Sequence, residues 1–216
     1  MTRIPRLTAA LCFALAASTL SAQDRPLPDP VLDPQVTGEK TAVLAGGCFW
    51  GVEAVFESLK GVKDVVSGFS GGSKVGANYN VVSTGTTGHA ESVKITYDPA
   101  KISYGQLLKV FFQVAHDPTQ LNRQGPDEGP QYRSAIFFST PEQKAVAEAY
   151  ISQLNDAHVF PRRIVTTVST LDGFYPAEAE HQDFLVRNPT NPYVLANDRP
   201  KIRQLQKDFP QLLKTR

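Results

Sequence analysis

Thr41-Ala42-Val43-Leu44-Ala45-Gly46-Gly47-Cys48-Phe49-Trp50-Gly51 is an apolar run that meets a Gly-Gly turn, and Val52, Val55, Phe56 and Leu59 follow it at helical spacing. The pattern is strand, turn, helix. A cysteine at a helix start lies beside backbone N–H groups that lack intrahelical partners and beside the positive end of the helix dipole, and both favour a thiolate. Gly46 and Gly47 permit a turn tight enough to expose the side chain, so Cys48 reads as a reactive thiol. The competing reading is a buried structural cysteine, the commoner state of a free thiol.

Outward from this turn, Val62 to Ser70 reads as a second strand ended by Gly71-Gly72, and Glu91 to Tyr97 alternates as a third, stopped by Asp98-Pro99. Ser103 and Gln106 form a capping box ahead of Leu107, Leu108, Phe111, Phe112 and Ala115, which predicts a second helix. A polar loop, His116 to Gln131, leads to a fourth strand, Arg133 to Phe138. Thr140-Pro141 opens a third helix reaching about Asn155, and Ile164 to Ser169 reads as a further strand. The order β-α-β-β-α-β predicts an α+β, two-layer sandwich of split-βαβ, ferredoxin-like type with the C-terminal quarter wrapped on it.

Residues 1–22 read as a secretory signal: Arg3 and Arg6 precede the apolar run Leu11 to Leu20 and the small pair Ser21-Ala22. The mature protein is expected to start near Gln23, exported to the periplasm or secreted, with no lasting membrane anchor because the apolar run is too short to span a bilayer. Removing the signal takes away two of the 22 basic side chains and none of the 21 acids, leaving a charge of about −1. Nothing in that balance suggests nucleic acid. Residues 23–40 are rich in Pro and Asp and read as an extended linker that tethers or clears the domain. The folded unit is expected over 41–197, with 198–216 a tail packed on it or trailing. Cys12 leaves with the signal, so an exported chain keeps one cysteine where pairs are usual.

In the third strand Glu91 shares a face with Val93, Ile95 and Tyr97, which puts a carboxyl group on the apolar side. Desolvation there would keep it protonated near neutrality as a general acid; a strand-end carboxyl that reaches solvent is the alternative. His89 and His116 lie beside these residues, whereas His158 and His181 read as loop and helix-surface positions. No Cys-x-x-Cys, metal-ligand spacing, phosphate loop or dinucleotide fingerprint occurs, so neither a metal nor a bound cofactor is expected.

Gly46-Cys48-Phe49-Trp50-Gly51, Tyr79, Gly85 through Glu91, His116-Asp117-Pro118, Asp127-x-Gly129-x-Gln131-Tyr132-Arg133-Ser134, Tyr175 to Glu178 and His181 to Leu185 follow one another in this chain. Together they closely resemble the A-type peptide methionine sulfoxide reductases, over roughly Thr41 to Asn197. The resemblance implies that Cys48 attacks the sulfoxide sulfur, that Glu91 protonates the sulfoxide oxygen, and that Tyr79 and Tyr132 bind that oxygen. It also implies that Phe49 and Trp50 form the apolar wall receiving the substrate methyl group and that Asp127 orients groups in the same pocket. The substrate would be methionine S-sulfoxide, in peptides and proteins or free, and a monomer is expected. Many relatives resolve the resulting sulfenic acid with further cysteines near the C-terminus, but residues 49–216 contain none. An external thiol such as thioredoxin, glutaredoxin or glutathione, or a partner's cysteine, is therefore expected to close the cycle. Two other readings of the residues stand beside this one: a thiol peroxidase or a Cys-His hydrolase with His89 or His116 as base, and a non-catalytic binding domain in which Gly46 to Gly51 only packs.

Overall fold

The computed structural model describes residues 26–215; the signal read in residues 1–22, with Cys12, lies outside them. β1 (Lys40–Gly46) runs into α1 (Phe49–Glu57), and β2 (Val62–Ser70), the one-turn α2 (Tyr79–Val82) and β3 (Ala90–Tyr97) follow. Next come α3 (Tyr104–Val110), extended by a π-helical turn over Phe111–Ala115, a two-residue hairpin of β4 (Arg123–Gln124) and β5 (Asp127–Glu128), β6 (Ser134–Phe138) and α4 (Pro141–Asp156). β7 (Thr167–Thr170), β8 (Phe174–Pro176), α5 (Phe184–Arg187) and α6 (Arg199–Asp208) complete the order.

The large sheet is ordered β7-β6-β1-β3-β2-β8. Each of its four central strands runs antiparallel to its neighbours among them, and β3 is inserted between the parallel pair β1 and β2, which is the split-βαβ arrangement the element order predicts. β7 extends one edge parallel to β6 and β8 extends the other antiparallel to β2, so the C-terminal wrap supplies both edge strands. Period-2 alternation sends Leu44, Val93, Ile95 and Tyr97 to the helix side, where they join Val52, Val55, Phe56, Leu107, Leu108 and Phe111 in the main core. On the reverse face Val43, Ala45, Ala90, Ala135 and Phe137 form a small cluster covered by Leu171 and Phe174.

The two later helix starts expected from sequence, at Ser103 and Thr140, are made as capped ends. Ser103 accepts from Gln106 N–H while the Gln106 side chain accepts from Ser103 N–H, and Thr140 accepts from Gln143 N–H with Pro141 following it. The strand expected over Ile164 to Ser169 begins only at Thr167. Ile164 N–H donates to the Asn155 side chain and Val165 N–H to Pro118 carbonyl, which takes both residues out of the ladder. The expected polar loop His116 to Gln131 contains the β4–β5 hairpin.

The proline-rich leader differs from the expected linker. Over residues 26–39 it has no regular structure, as its prolines dictate, but it is docked on the helices rather than clear of them. Leu27 is 4% exposed inside the main core, its N–H donates to Gln113 Oε1 at 3.0 Å, and Tyr150 Oη donates to Pro28 carbonyl at 2.8 Å. Gln153 brackets the chain by donating to Asp29 carbonyl and accepting from Val31 N–H, and the Asp33 carboxylate accepts from Ser103 Oγ and Gly105 N–H at the start of α3. Side chains of α3 and α4 thus satisfy a backbone that cannot pair with itself. At the other end, Leu205 and Phe209 enter the core, and Lys214 N–H reaches Ser58 carbonyl beside the end of α1.

Leu27→Ala is expected to lower the unfolding free energy by about 2–4 kcal/mol in urea denaturation, the ordinary cost of emptying a leucine site. A leader that cleared the domain would leave the midpoint unchanged.

Candidate active site

Cys48 occupies the N-cap position of α1, at φ −52° and ψ 123°, and Gly47 before it has φ 89°, a left-handed conformation open to glycine. A Cβ on Gly47 would also lie 2.6 Å from Gln124 Cβ, so the bare turn lets the β4–β5 hairpin close over it. The expected exposed thiol is not what results: Cys48 is 7% exposed and packs with the core. Its pKa is pushed well above the ordinary value, first by burial and then by Glu91 and Asp198, while the Trp50 N–H and Lys201 pull the other way. The helix start does favour the thiolate, but desolvation outweighs it.

Glu91 extends from the inner face of β3 and is 2% exposed, which removes the alternative of a carboxyl reaching solvent. Its Oε2 accepts the Phe49 N–H at 3.0 Å, one of the donors that a helix start leaves free. Burial raises its pKa to about 8, opposed by the Phe49 hydrogen bond and reinforced by Asp127. At neutral pH the group therefore holds a proton within one residue of the thiol.

The other residues expected from sequence converge on this pair. Tyr79 opens α2, its N–H accepted by Glu178 at 3.0 Å, and Tyr132 closes a 3-10 turn over Pro130–Tyr132. Both phenols are half-buried and shifted upward, by burial first and Glu91 second, so both remain O–H donors. Asp127 in β5 accepts from Tyr193 Oη, and burial raises its pKa against the effects of Tyr193 and Lys201. Phe49 is buried, and the Trp50 ring stacks on Phe184 at 3.6 Å and meets Tyr193 edge-on at 5.8 Å.

Four residues that sequence reasoning did not assign complete the site. His181 is buried, stacks on Tyr79 at 4.0 Å and accepts from Trp50 Nε1 at 3.3 Å, which corrects its reading as a helix-surface position. Tyr193 holds Asp127. Asp198 and Lys201, at the start of α6, lie against the first turn of α1, where a Cβ on Gly51 would meet the Asp198 carboxyl carbon at 2.8 Å and Lys201 Nζ at 3.0 Å. These two belong to the segment read as a tail; the only sequence signal for them is Pro200 opening an amphipathic helix.

His89 and His116 are not bases for Cys48. His89 accepts from Gly72 N–H at Nδ1 and its Nε2 bonds Ser73 carbonyl, while His116 bonds Phe111 carbonyl and Ser134 Oγ. Burial pushes His116 down to about 3, and with both nitrogens of each ring occupied the Cys-His hydrolase reading has no base.

One thiol, a protonated carboxyl beside it, phenol donors and an aromatic wall on a split-βαβ sheet define a cysteine-dependent oxidoreductase. The family model described as Peptide methionine sulfoxide reductase matches residues 40–213, past residue 197 and through α6. The chain is 55% identical to Peptide methionine sulfoxide reductase MsrA 2 of Synechocystis, over 94% of this chain and 98% of that one. It is 59% identical to the MsrA 2 protein of Mesorhizobium japonicum, over 81% and 90%. Among solved structures, methionine sulfoxide reductase A of Corynebacterium diphtheriae superposes with a TM-score of 0.61 at 36% identity, covering 82% of this chain and 88% of that one. The chain belongs to the peptide methionine sulfoxide reductase family, of the A type. It is an enzyme of thiol-dependent methionine sulfoxide reduction.

Gly51 yields a test in which the usual sign reverses. Glycine to alanine inside a helix ordinarily stabilises by about 0.5–1 kcal/mol. Gly51→Ala is expected instead to destabilise by about 1–3 kcal/mol in urea denaturation and to lower turnover, because the new methyl meets the Asp198 carboxyl group.

Proposed function

We propose that this enzyme reduces the S-epimer of methionine sulfoxide in a cycle that uses Cys48 alone. Cys48 attacks the sulfoxide sulfur as a thiolate, Glu91 gives its proton to the sulfoxide oxygen, and the oxygen passes to Cys48 as a sulfenic acid while methionine leaves. Tyr79 and Tyr132 donate to the oxygen as its charge grows, and Asp127, fixed by Tyr193, aligns the polar side of the pocket. Phe49 and Trp50 receive the methyl group. The observation that carries this reading is the Glu91 carboxyl, buried yet bonded to the N–H of the residue after Cys48.

Regeneration falls to an external thiol such as thioredoxin, glutaredoxin or glutathione. A first thiol attacks the sulfenic acid and releases water, and a second thiol releases Cys48 and departs as a disulfide with the first. This rests on the absence of any cysteine after Cys48. Export rests on the composition of residues 1–22, and N-terminal sequencing of the processed protein is expected to begin near Gln23; an intact Met1 on exported material would contradict it.

Below its raised pKa the Cys48 thiolate fraction grows with pH, while Glu91 loses its proton above about 8, so single-turnover formation of the sulfenic acid is expected to rise with pH and to level off above that value. Glu91→Gln, which cannot deliver a proton, is expected to be slower by about 10²-fold at neutral pH and to keep rising with pH without the break near 8. Equal profiles for the two proteins would refute the acid role. In the same samples mass spectrometry is expected to find a sulfenic acid or a mixed disulfide on Cys48, and no internal disulfide.

A further inference from the structure

The C-terminal segment carries a charge pair to the catalytic turn that the proposed chemistry does not use. A π-helical turn over Val194–Asp198 passes directly into α6 and places Asp198 and Lys201 against Gly51, three residues from Cys48. Asp198 is fully buried, neither carboxylate oxygen has a hydrogen-bond partner, and Lys201 Nζ stands 3.6 Å from Oδ1 with its side chain 16% exposed. A pair this dry, without hydrogen bonds to complete it, is costly for a fold that apolar side chains would serve better.

The groups facing Cys48 come from several elements. Glu91 acts on it from β3, Asp198 and Lys201 from the C-terminal segment, and the phenols of Tyr79, Tyr132 and Tyr193 lie within reach of its charge. Asp127 and neutral His116 lie further out, both within the field of Lys201. Glu91 and the phenols are uncharged near neutrality, where Asp198 and Lys201 are the charges in this set that bear on the thiol; above about 8 the Glu91 carboxylate joins them, equally in the parent and in variants of the pair.

We propose that Lys201 is a positioning residue of the reaction, its ammonium supplying positive charge against which the Cys48 thiolate forms, with the buried Asp198 as the counter-charge that outweighs it at the thiol. The inference rests on Cys48 as the nucleophile. Its test reads the thiol without any sulfoxide present, so the two fail separately.

The measurement is the pH dependence of Cys48 alkylation by iodoacetamide, with near-ultraviolet circular dichroism to confirm packing. Lys201→Met alone would leave Asp198 to take up a proton, so the clean comparison has Asp198 already neutral. Asp198→Asn is expected to lower the midpoint of alkylation, and adding Lys201→Met to raise it again by about one unit, a tenfold slowing at fixed pH. Adding Lys201→Arg to Asp198→Asn is expected to keep the Asp198→Asn midpoint. The proposal is overturned if Lys201→Met leaves the Asp198→Asn profile in place, if Arg shifts it as far as Met does, or if Asp198→Asn raises the midpoint. Should Asp198→Asn not fold, the single variants decide: a Lys201→Met profile distinct from those of Lys201→Arg and the parent supports the proposal, and coincidence of all three overturns it.

Discussion

The hydrogen bond from Phe49 N–H to the Glu91 carboxyl group ties the start of α1 to the inner face of β3, and the site is arranged around it. Two groups whose ionised forms prefer water, a thiol and a carboxyl, are both buried there. Burial alone would make the carboxyl an unsatisfied liability, and a helix start alone would leave an N–H without a partner; each resolves the other. The bond is possible because β3 lies beside β1 in the sheet, so the strand carrying the acid neighbours the strand that launches the helix carrying the thiol.

Magnitudes explain why the thiol is not simply an activated one. A helix N-terminus stabilises an anion by roughly 0.3–1 kcal/mol, reaching about 2 in favourable partly buried sites. Full desolvation can move a titratable group by about 3–5 pKa units, several times as much. Cys48 follows the larger effect and rests as a thiol, with Glu91 protonated beside it. The resting site therefore stores the protons that its chemistry moves.

Much of the site is assembled by chain that comes after the sandwich is complete. Trp50 is held between Phe184, Tyr193 and His181, Asp127 is held by Tyr193, and the first turn of α1 is backed by Asp198 and Lys201. The leader plays a corresponding part for α3 and α4, held on them through Leu27, Pro28 and Asp33. These segments look irregular because they have few ladder partners of their own. Their side-chain contacts, and not backbone periodicity, give them fixed positions.

The local patterns of the sequence by themselves determined the βαββαβ order, the capped helices at Ser103 and Thr140, the turn bearing Cys48, and the face of β3 that carries Glu91. Each depends on spacing within a few residues, which strand pleat and helix pitch translate directly into direction. Only the tertiary structure decided that Cys48 is buried, that His181 belongs to the aromatic wall, that residues 26–39 dock, and that Asp198 and Lys201 back the thiol. Desolvation and long-range charge depend on what distant chain covers a group, and the segment that backs the thiol, residues 179–208, lies far from Cys48 in sequence and carries no short-range signature of where it packs.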